Sequence, residues 1–97
     1  MNLNLDNIHK VVCLGIGGGD LSYISKFLFY LDIEVEGFDI AVNERIKELE
    51  RLGVNIHHRN PEGKLPQTDL VIYSDALPDN LLQELKKENK NVKFMEV

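Results

Sequence analysis

One segment sets the architecture of this chain, and it runs Lys10-Val11-Val12-Cys13-Leu14-Gly15-Ile16-Gly17-Gly18-Gly19-Asp20-Leu21-Ser22. Its first part is apolar after Lys10, which is typical of a strand that is covered on both faces of a parallel sheet. The glycines then predict a tight turn. An apolar stripe at helical spacing follows the turn, formed by Leu21, Ile24, Leu28 and Leu31 and widened by Phe27. The segment therefore predicts a strand, a glycine-rich turn and an amphipathic helix.

The rest of the chain continues this alternation. Further strands are predicted at 34–39, 54–57, 69–73 and 92–95. A second helix is indicated by Val42, Ile46, Leu49 and Leu52, with Asn43 as its N-cap and Gly53 at its end. A third is indicated by Leu81, Leu82 and Leu85. Such alternation favours parallel strands with right-handed crossovers. We predict a Rossmann-like three-layer α/β/α fold, whose five-stranded, mostly parallel sheet has the order 3-2-1-4-5.

Composition bounds the possible functions. The 97 residues are enough for one domain, and the net charge of −5 argues against a nucleic-acid-binding protein. No apolar run is long enough to cross a membrane, and no signal peptide is evident at the amino terminus. The single cysteine, Cys13, excludes an internal disulfide and is expected in the core. These features predict a cytoplasmic protein.

The predicted topology brings three strand exits together beside strand 1, where ligands bind in such sheets. The exits are 15–22, Asp39 and 74–78. Gly15 allows a tight turn, and Gly17 allows the backbone to approach a phosphate. Gly18, Gly19 and the N–H groups that follow open a helix whose positive dipole end favours an anion. We therefore expect the turn to hold the diphosphate of a nucleotide.

Two acidic residues modify this prediction. Asp39 ends the second strand, where a carboxylate accepts hydrogen bonds from ribose hydroxyls in dinucleotide sites. The alternative for Asp39 is an interaction with the dipole of the second helix. Asp20 occupies the position of the third glycine in G-x-G-x-x-G, and we expect it to be the N-cap of the first helix.

Catalytic and metal-binding signals are absent. His57 and His58 are adjacent in a strand and point to opposite faces, which makes them poor joint metal ligands. The sequence contains no P-loop, no nucleophile elbow, no C-x-x-C and no H-E-x-x-H motif. We predict no catalytic residue and no metal site, and hence a binding domain instead of a complete enzyme.

Three segments together resemble one enzyme family. The turn 14–22 resembles the G-I-G-G-x-G-M-S motif of the UDP-N-acetylmuramate–L-alanine ligases (MurC) and the related murein tripeptide ligases. The segment 36–39 resembles their second strand, and 71–78 resembles their V-V-x-S-S-A-I-P segment. Leu52-Gly53-Val54 also matches, so the resemblance covers the chain from about Ile8 to Val97.

The resemblance implies a UDP-sugar-binding domain of a three-domain, ATP-dependent amide ligase of peptidoglycan biosynthesis. Asp39 would face the ribose or uracil. The diphosphate would be held by the backbone at Gly17, Gly18, Gly19, Asp20, Leu21 and Ser22, and the opposite wall would be lined by Ser74, Asp75 and Ala76. ATP and Mg²⁺ would bind a central domain that this chain lacks, so no cofactor is expected here and the partners would be the other ligase domains.

The sequence also departs from the family pattern. Asp20 replaces a glycine and Asp75 replaces a serine, which sets two carboxylates beside the expected diphosphate. Arg59-Asn60 stands where the family has Gly-His, and Val12 replaces a frequent histidine. Two alternatives therefore remain open: a dinucleotide (NAD)-sensing module, supported by Asp39, and a ligand-free interaction domain, supported by Asp20 and Asp75.

Overall fold

The computed structural model describes residues 5–97. Five strands and three helices follow one another as β1 (Lys10–Leu14), α1 (Gly19–Tyr30), β2 (Glu34–Phe38), α2 (Glu44–Leu52), β3 (Asn55–His57), β4 (Leu70–Tyr73), α3 (Asp79–Glu88) and β5 (Lys93–Glu96). The predicted order 3-2-1-4-5 is confirmed, and all four strand pairings are parallel. β1 lies at the centre, where Cys13 pairs with Gly37 on one side and with Ile72 on the other.

Helices cover both faces of the sheet and give the predicted three layers. On one face, Val11 and Cys13 of β1 pack in a cluster with α1 and α2. On the other face, Val12 and Leu14 pack in a second cluster that includes Leu85 of α3. These four of the five β1 residues are fully buried, which explains why the strand is apolar after Lys10.

Three residues of the apolar stripes that predicted the first two helices are exposed instead of packed against the sheet. Phe27 and Leu31 are exposed, and Val42 is three-quarters exposed. α1 already reaches the sheet through Leu21 and Leu28, and it ends at Tyr30, so Leu31 lies beyond its last turn. Val42 precedes the N-cap of α2 and therefore does not share the helical periodicity of Ile46 and Leu49.

The ends of α2 are as predicted. The Asn43 side chain accepts a hydrogen bond from the backbone N–H of Ile46, and Gly53 ends the helix in the left-handed region with φ 108°. Within residues 5–97, none of the helices combines the length and the hydropathy that spanning a bilayer requires.

Replacement of Gly53 by Ala tests the left-handed helix end. A Cβ at this position would lie 3.7 Å from the Phe29 ring, which is an ordinary contact, so any destabilisation comes from the backbone conformation. We expect Gly53→Ala to lower the free energy of unfolding in urea by about 1–2 kcal/mol. The matched control is Gly19→Ala, because Gly19 has no left-handed φ and a Cβ added to it would meet no atom within 4 Å. Equal stabilities of the two variants would contradict the assignment.

Candidate nucleotide-binding site

The carboxyl ends of β1, β2 and β4 meet at one edge of the sheet. The Gly15 N–H donates to the Phe38 carbonyl at 2.8 Å, and the Ser74 N–H donates to the Leu14 carbonyl at 3.1 Å. These bonds continue the strand pairing past the strand ends. The three exits that the sequence predicted to converge therefore do so around the glycine-rich turn.

At two positions of the turn, the surrounding atoms and the backbone conformation require glycine. Gly15 has φ +81°, and a Cβ on it would lie 3.2 Å from the Ser74 Cβ. A Cβ on Gly17 would lie 2.8 Å from the Ile46 side chain and 2.9 Å from an Asp39 carboxylate oxygen. Gly17 is thus required because α2 and the β2 exit pack directly against the turn.

Asp39 holds the turn by its side chain. One carboxylate oxygen accepts the Gly17 N–H at 2.8 Å, and the other accepts the Ala41 N–H at 2.8 Å. A carboxylate bonded to backbone N–H groups makes charge-assisted hydrogen bonds, which are stronger than neutral ones. Asp39 therefore joins the β1 exit to the β2 exit across 22 residues of sequence.

Two residues that the sequence analysis did not assign to the site hold the other side of Gly17. The Arg45 Nε–H donates to the Gly17 carbonyl at 2.7 Å, and the Asn43 side-chain amide donates to it at 3.4 Å. Asn43 carried a signal as a predicted N-cap, but Arg45 reads from the sequence as an ordinary exposed helix residue. Both backbone hydrogen-bonding groups of Gly17 are therefore engaged by the β2–α2 connection and the first turn of α2.

The prediction that Asp20 caps α1 is wrong. The N-cap is Gly18, which has an extended backbone and no side-chain cap. Asp20 lies two residues further along, in the first helical turn, where its side chain is exposed. Within residues 5–97, no acceptor is bonded to the N–H groups of Gly19, Asp20 and Leu21. Three donors at the positive end of the helix dipole thus remain available.

The Ser74–Ala76 loop forms the facing wall. The Ser74 hydroxyl accepts the Ala76 N–H at 3.0 Å, and the Ser74 carbonyl accepts the Leu77 N–H at 3.0 Å. Asp75 between them is exposed. Ser22 of α1 is buried and its hydroxyl donates to the Gly19 carbonyl at 3.0 Å, so this side chain stabilises the first turn of α1.

Two adjoining concavities open at this edge. The larger, here called the strand-end cleft, has a volume of about 420 Å³. Its lining includes six predicted site residues, Gly15, Gly17, Gly18, Asp39, Ser74 and Ala76. It is completed by residues that were not predicted, Phe38, Ile40, Ala41, Asn43, Arg45, Asn60, Pro61, Leu77 and Pro78.

The smaller concavity, here called the helix-end cleft, has a volume of about 230 Å³. It is lined by Gly18, Gly19, Asp20, Leu21, Ser74, Asp75, Ala76 and Val97. The two clefts share Gly18, Ser74 and Ala76. Ser22 lines neither of them, so ten of the eleven predicted site residues line one cleft or the other.

Comparison with known protein families shows which family this chain belongs to. A match to the family described as "Mur ligase family, catalytic domain" extends over residues 10–96. The chain belongs to the Mur ligase family.

Individual relatives agree with this assignment. The chain is 33% identical over 88 residues to a UDP-N-acetylmuramate–L-alanine ligase of Ruthia magnifica subsp. Calyptogena magnifica, covering 91% of this chain and 18% of that protein. It is 30% identical over 95 residues to the ligase of that name from Clostridium novyi, covering 98% of this chain and 21% of that protein. The chain thus spans about a fifth of the length of these curated relatives.

Solved structures support the same fold. The crystal structure of the UDP-N-acetylmuramate–alanine ligase MurC from Thermotoga maritima superposes with a TM-score of 0.74 at 27% identity, covering 90% of this chain and 20% of that one. SirC, a precorrin-2 dehydrogenase, superposes with a TM-score of 0.71 at 17% identity, covering 98% of this chain and 47% of that one. The likeness to SirC shows a shared fold alone.

The remaining candidate residues of this Mur ligase family chain have structural partners. His57 and His58 point apart: the His57 Nε2 lies 2.5 Å from a Glu36 carboxylate oxygen, and the His58 Nε2 lies 2.9 Å from one of Glu50. Burial raises the pKa of the Glu36 carboxyl, but hydrogen bonds from Lys10 and His57 outweigh burial, so this pKa is below its ordinary value. Among residues 5–97, no three His, Cys, Asp or Glu side chains form a group suited to a metal ion.

Cys13 is a core residue, as predicted. It is fully buried, and burial raises the pKa of its thiol to about 12. A thiol that stays protonated at neutral pH is a poor nucleophile. Cys13 therefore contributes packing beneath the turn.

Replacing Asp39 by Asn tests its role in holding the turn. The amide keeps one acceptor oxygen but sets an N–H₂ group against a backbone N–H. We expect Asp39→Asn to lower the free energy of unfolding in urea by about 1–3 kcal/mol. The control is Asp75→Asn, because the exposed Asp75 side chain has no hydrogen bond within residues 5–97, and it should shift stability by less than about 0.5 kcal/mol. An Asp39→Asn protein as stable as the control would show that the carboxylate does not hold the turn.

Proposed function

We propose that this chain is the UDP-N-acetylmuramate-binding domain of a MurC-like, ATP-dependent amide ligase of peptidoglycan biosynthesis. The observation that carries the proposal is the family match over residues 10–96, whose turn and facing loop line the two adjoining clefts. A parallel α/β sheet binds ligands at this edge, beside the strand where the order reverses. We also propose that the protein works in the cytoplasm.

In this proposal the diphosphate lies against the amino-terminal end of α1. The N–H groups of Gly19, Asp20 and Leu21 are its donors, because they have no acceptor among the described residues. Gly15, Gly17 and Gly18 contribute by shape, since their missing side chains let the turn lie close to its neighbours. Ser22 stabilises the first helical turn through its bond to the Gly19 carbonyl.

The two ends of the ligand face the other predicted residues. Each Asp39 oxygen accepts one backbone N–H and keeps a further acceptor site, so the carboxylate can still receive a ribose hydroxyl. Ser74 and Ala76 form the opposite wall of both clefts, and Asp75 lines the helix-end cleft. The proposal assigns binding and orientation to this chain, and no catalytic residue.

The residues of this chain do not fit the ATP and Mg²⁺ that the ligase family uses. The turn lacks the Lys-Ser or Lys-Thr pair of a P-loop, and residues 5–97 hold no group of metal-binding side chains. We therefore assign ATP, Mg²⁺ and the amino acid to further domains of the same ligase, which are the proposed partners of this one. No step of amide formation is assigned to the residues of this chain.

Isothermal titration of the chain with UDP-N-acetylmuramate, UDP and NADH tests the proposal. We expect saturable binding of the first two and none of NADH. Binding of NADH without UDP would overturn the proposal in favour of a dinucleotide sensor. Absence of binding by all three would overturn it in favour of a ligand-free interaction domain.

Removal of the Asp20 carboxylate should tighten UDP binding. Like charges about 4 Å apart repel by roughly 1 kcal/mol in water and about 4 kcal/mol near a protein surface. We therefore expect Asp20→Gly to lower the Kd for UDP by about tenfold or more, measured by calorimetry at low salt. Asp79→Gly is the matched control, because Asp79 lies in the first turn of α3 and lines neither cleft. Equal Kd values for the two variants would mean that Asp20 does not face the phosphates.

A further inference from the structure

The charged side chains of the two clefts are unevenly divided. The charged side chains that line the helix-end cleft are Asp20 and Asp75, and both are acidic. In the strand-end cleft the charged side chains are Asp39, whose oxygens are bonded to backbone N–H groups, and Arg45. An anionic ligand therefore meets one cationic side chain in the described part of the site.

Arg45 is anchored by one of its N–H groups, and its other N–H groups have no partner among the described residues. Its Nε–H donates to the Gly17 carbonyl at 2.7 Å, which anchors the guanidinium beside the turn. Within residues 5–97 no carboxylate lies within salt-bridge distance of it, whereas Lys47 and Arg51 on the same helix both pair with Glu44. A guanidinium has five N–H donors in a planar fork, so the terminal N–H groups of Arg45 remain available.

This combination suits phosphate recognition. A guanidinium that is already anchored loses little side-chain entropy on binding, and its fork matches two phosphate oxygens. The carbonyl that anchors it belongs to Gly17, two residues before the free N–H of Gly19. A phosphate at the boundary of the two clefts can therefore receive donors from both.

We propose that Arg45 is the phosphate-binding cation of this site, and that it offsets the repulsion from Asp20 and Asp75. The inference rests on the proposed UDP-binding function and deepens it. Arg45 contacts a phosphate oxygen of the nucleoside diphosphate through its terminal N–H groups, while its Nε–H stays on the Gly17 carbonyl. The positive charge and the fork geometry of Arg45 thereby restore part of the anion affinity that Asp20 and Asp75 remove from the site.

The test compares ligands that differ only in phosphate number. Calorimetric Kd values for UDP, UMP and uridine are measured with the wild-type chain, Arg45→Gln, Arg45→Lys and Arg51→Gln. We expect Arg45→Gln to weaken UDP by about ten- to a hundredfold and uridine by less than about twofold. Arg45→Lys should recover part of the UDP affinity and its salt dependence. Arg51→Gln, an equal charge change on the same helix away from the clefts, should match the wild type.

Each other outcome counts against the inference. Equal weakening of UDP and uridine by Arg45→Gln would mean that Arg45 only supports the turn. Unchanged UDP affinity in Arg45→Gln would overturn the inference while leaving the proposed function standing. If the wild-type chain binds no UDP, the proposed function fails. Phosphate binding by Arg45 is then tested by NMR with inorganic pyrophosphate. Terminal guanidinium (Nη–H) resonances of wild-type Arg45 that do not shift with pyrophosphate would overturn the inference as well.

Discussion

Both backbone hydrogen-bonding groups of Gly17 are taken up by residues that follow β2. The Asp39 carboxylate accepts the N–H, and Arg45 with Asn43 donates to the carbonyl. These contacts bridge 22 to 28 residues of sequence and join the glycine-rich turn to the start of α2. Since Gly17 is buried, its polar groups need such partners. The rest of the site takes its position from this junction.

One consequence concerns which donors a ligand meets. The central N–H of the turn is already bonded, so the available backbone donors begin at Gly19, where α1 starts. The proposed anion site is therefore the positive end of the helix and not the middle of the turn. Asp20 lies in that same helical turn and is exposed, because the N-cap position belongs to Gly18. The donors and the repelling carboxylate thus occupy the same cleft, and Arg45 faces the adjoining one.

Much of the architecture was readable from the sequence. The apolar run after Lys10 identified the central strand, and the alternation of elements indicated the strand order, because parallel crossovers restrict the topology strongly. Asn43 and Gly53 marked the ends of α2 through local chemistry that does not depend on tertiary contacts. Ten predicted site residues line the two clefts for the same reason, since the strand exits converge wherever this topology forms.

Other features depend on contacts that the sequence does not display. The exposed positions of Phe27 and Val42 follow from where α1 meets the sheet and where α2 begins, and an apolar stripe alone does not fix either. The bond from Gly17 to Asp39 is long-range, so the spacing suggested a ribose ligand for Asp39 and gave no sign of its backbone partners. Arg45 lies on the polar side of α2, and its sequence context does not reveal its long-range hydrogen bond to the Gly17 carbonyl.

The most direct test of this account is amide hydrogen exchange in the ligand-free chain, comparing Gly17 with Gly19. The Gly17 N–H is bonded to a carboxylate at 2.8 Å, whereas the Gly19 N–H has no acceptor among residues 5–97. We predict that Gly17 exchanges about a hundredfold more slowly than Gly19, relative to their unstructured rates, which corresponds to an opening free energy of about 3 kcal/mol. Equal, fast exchange at both glycines would contradict the claim that the Asp39 carboxylate holds the turn.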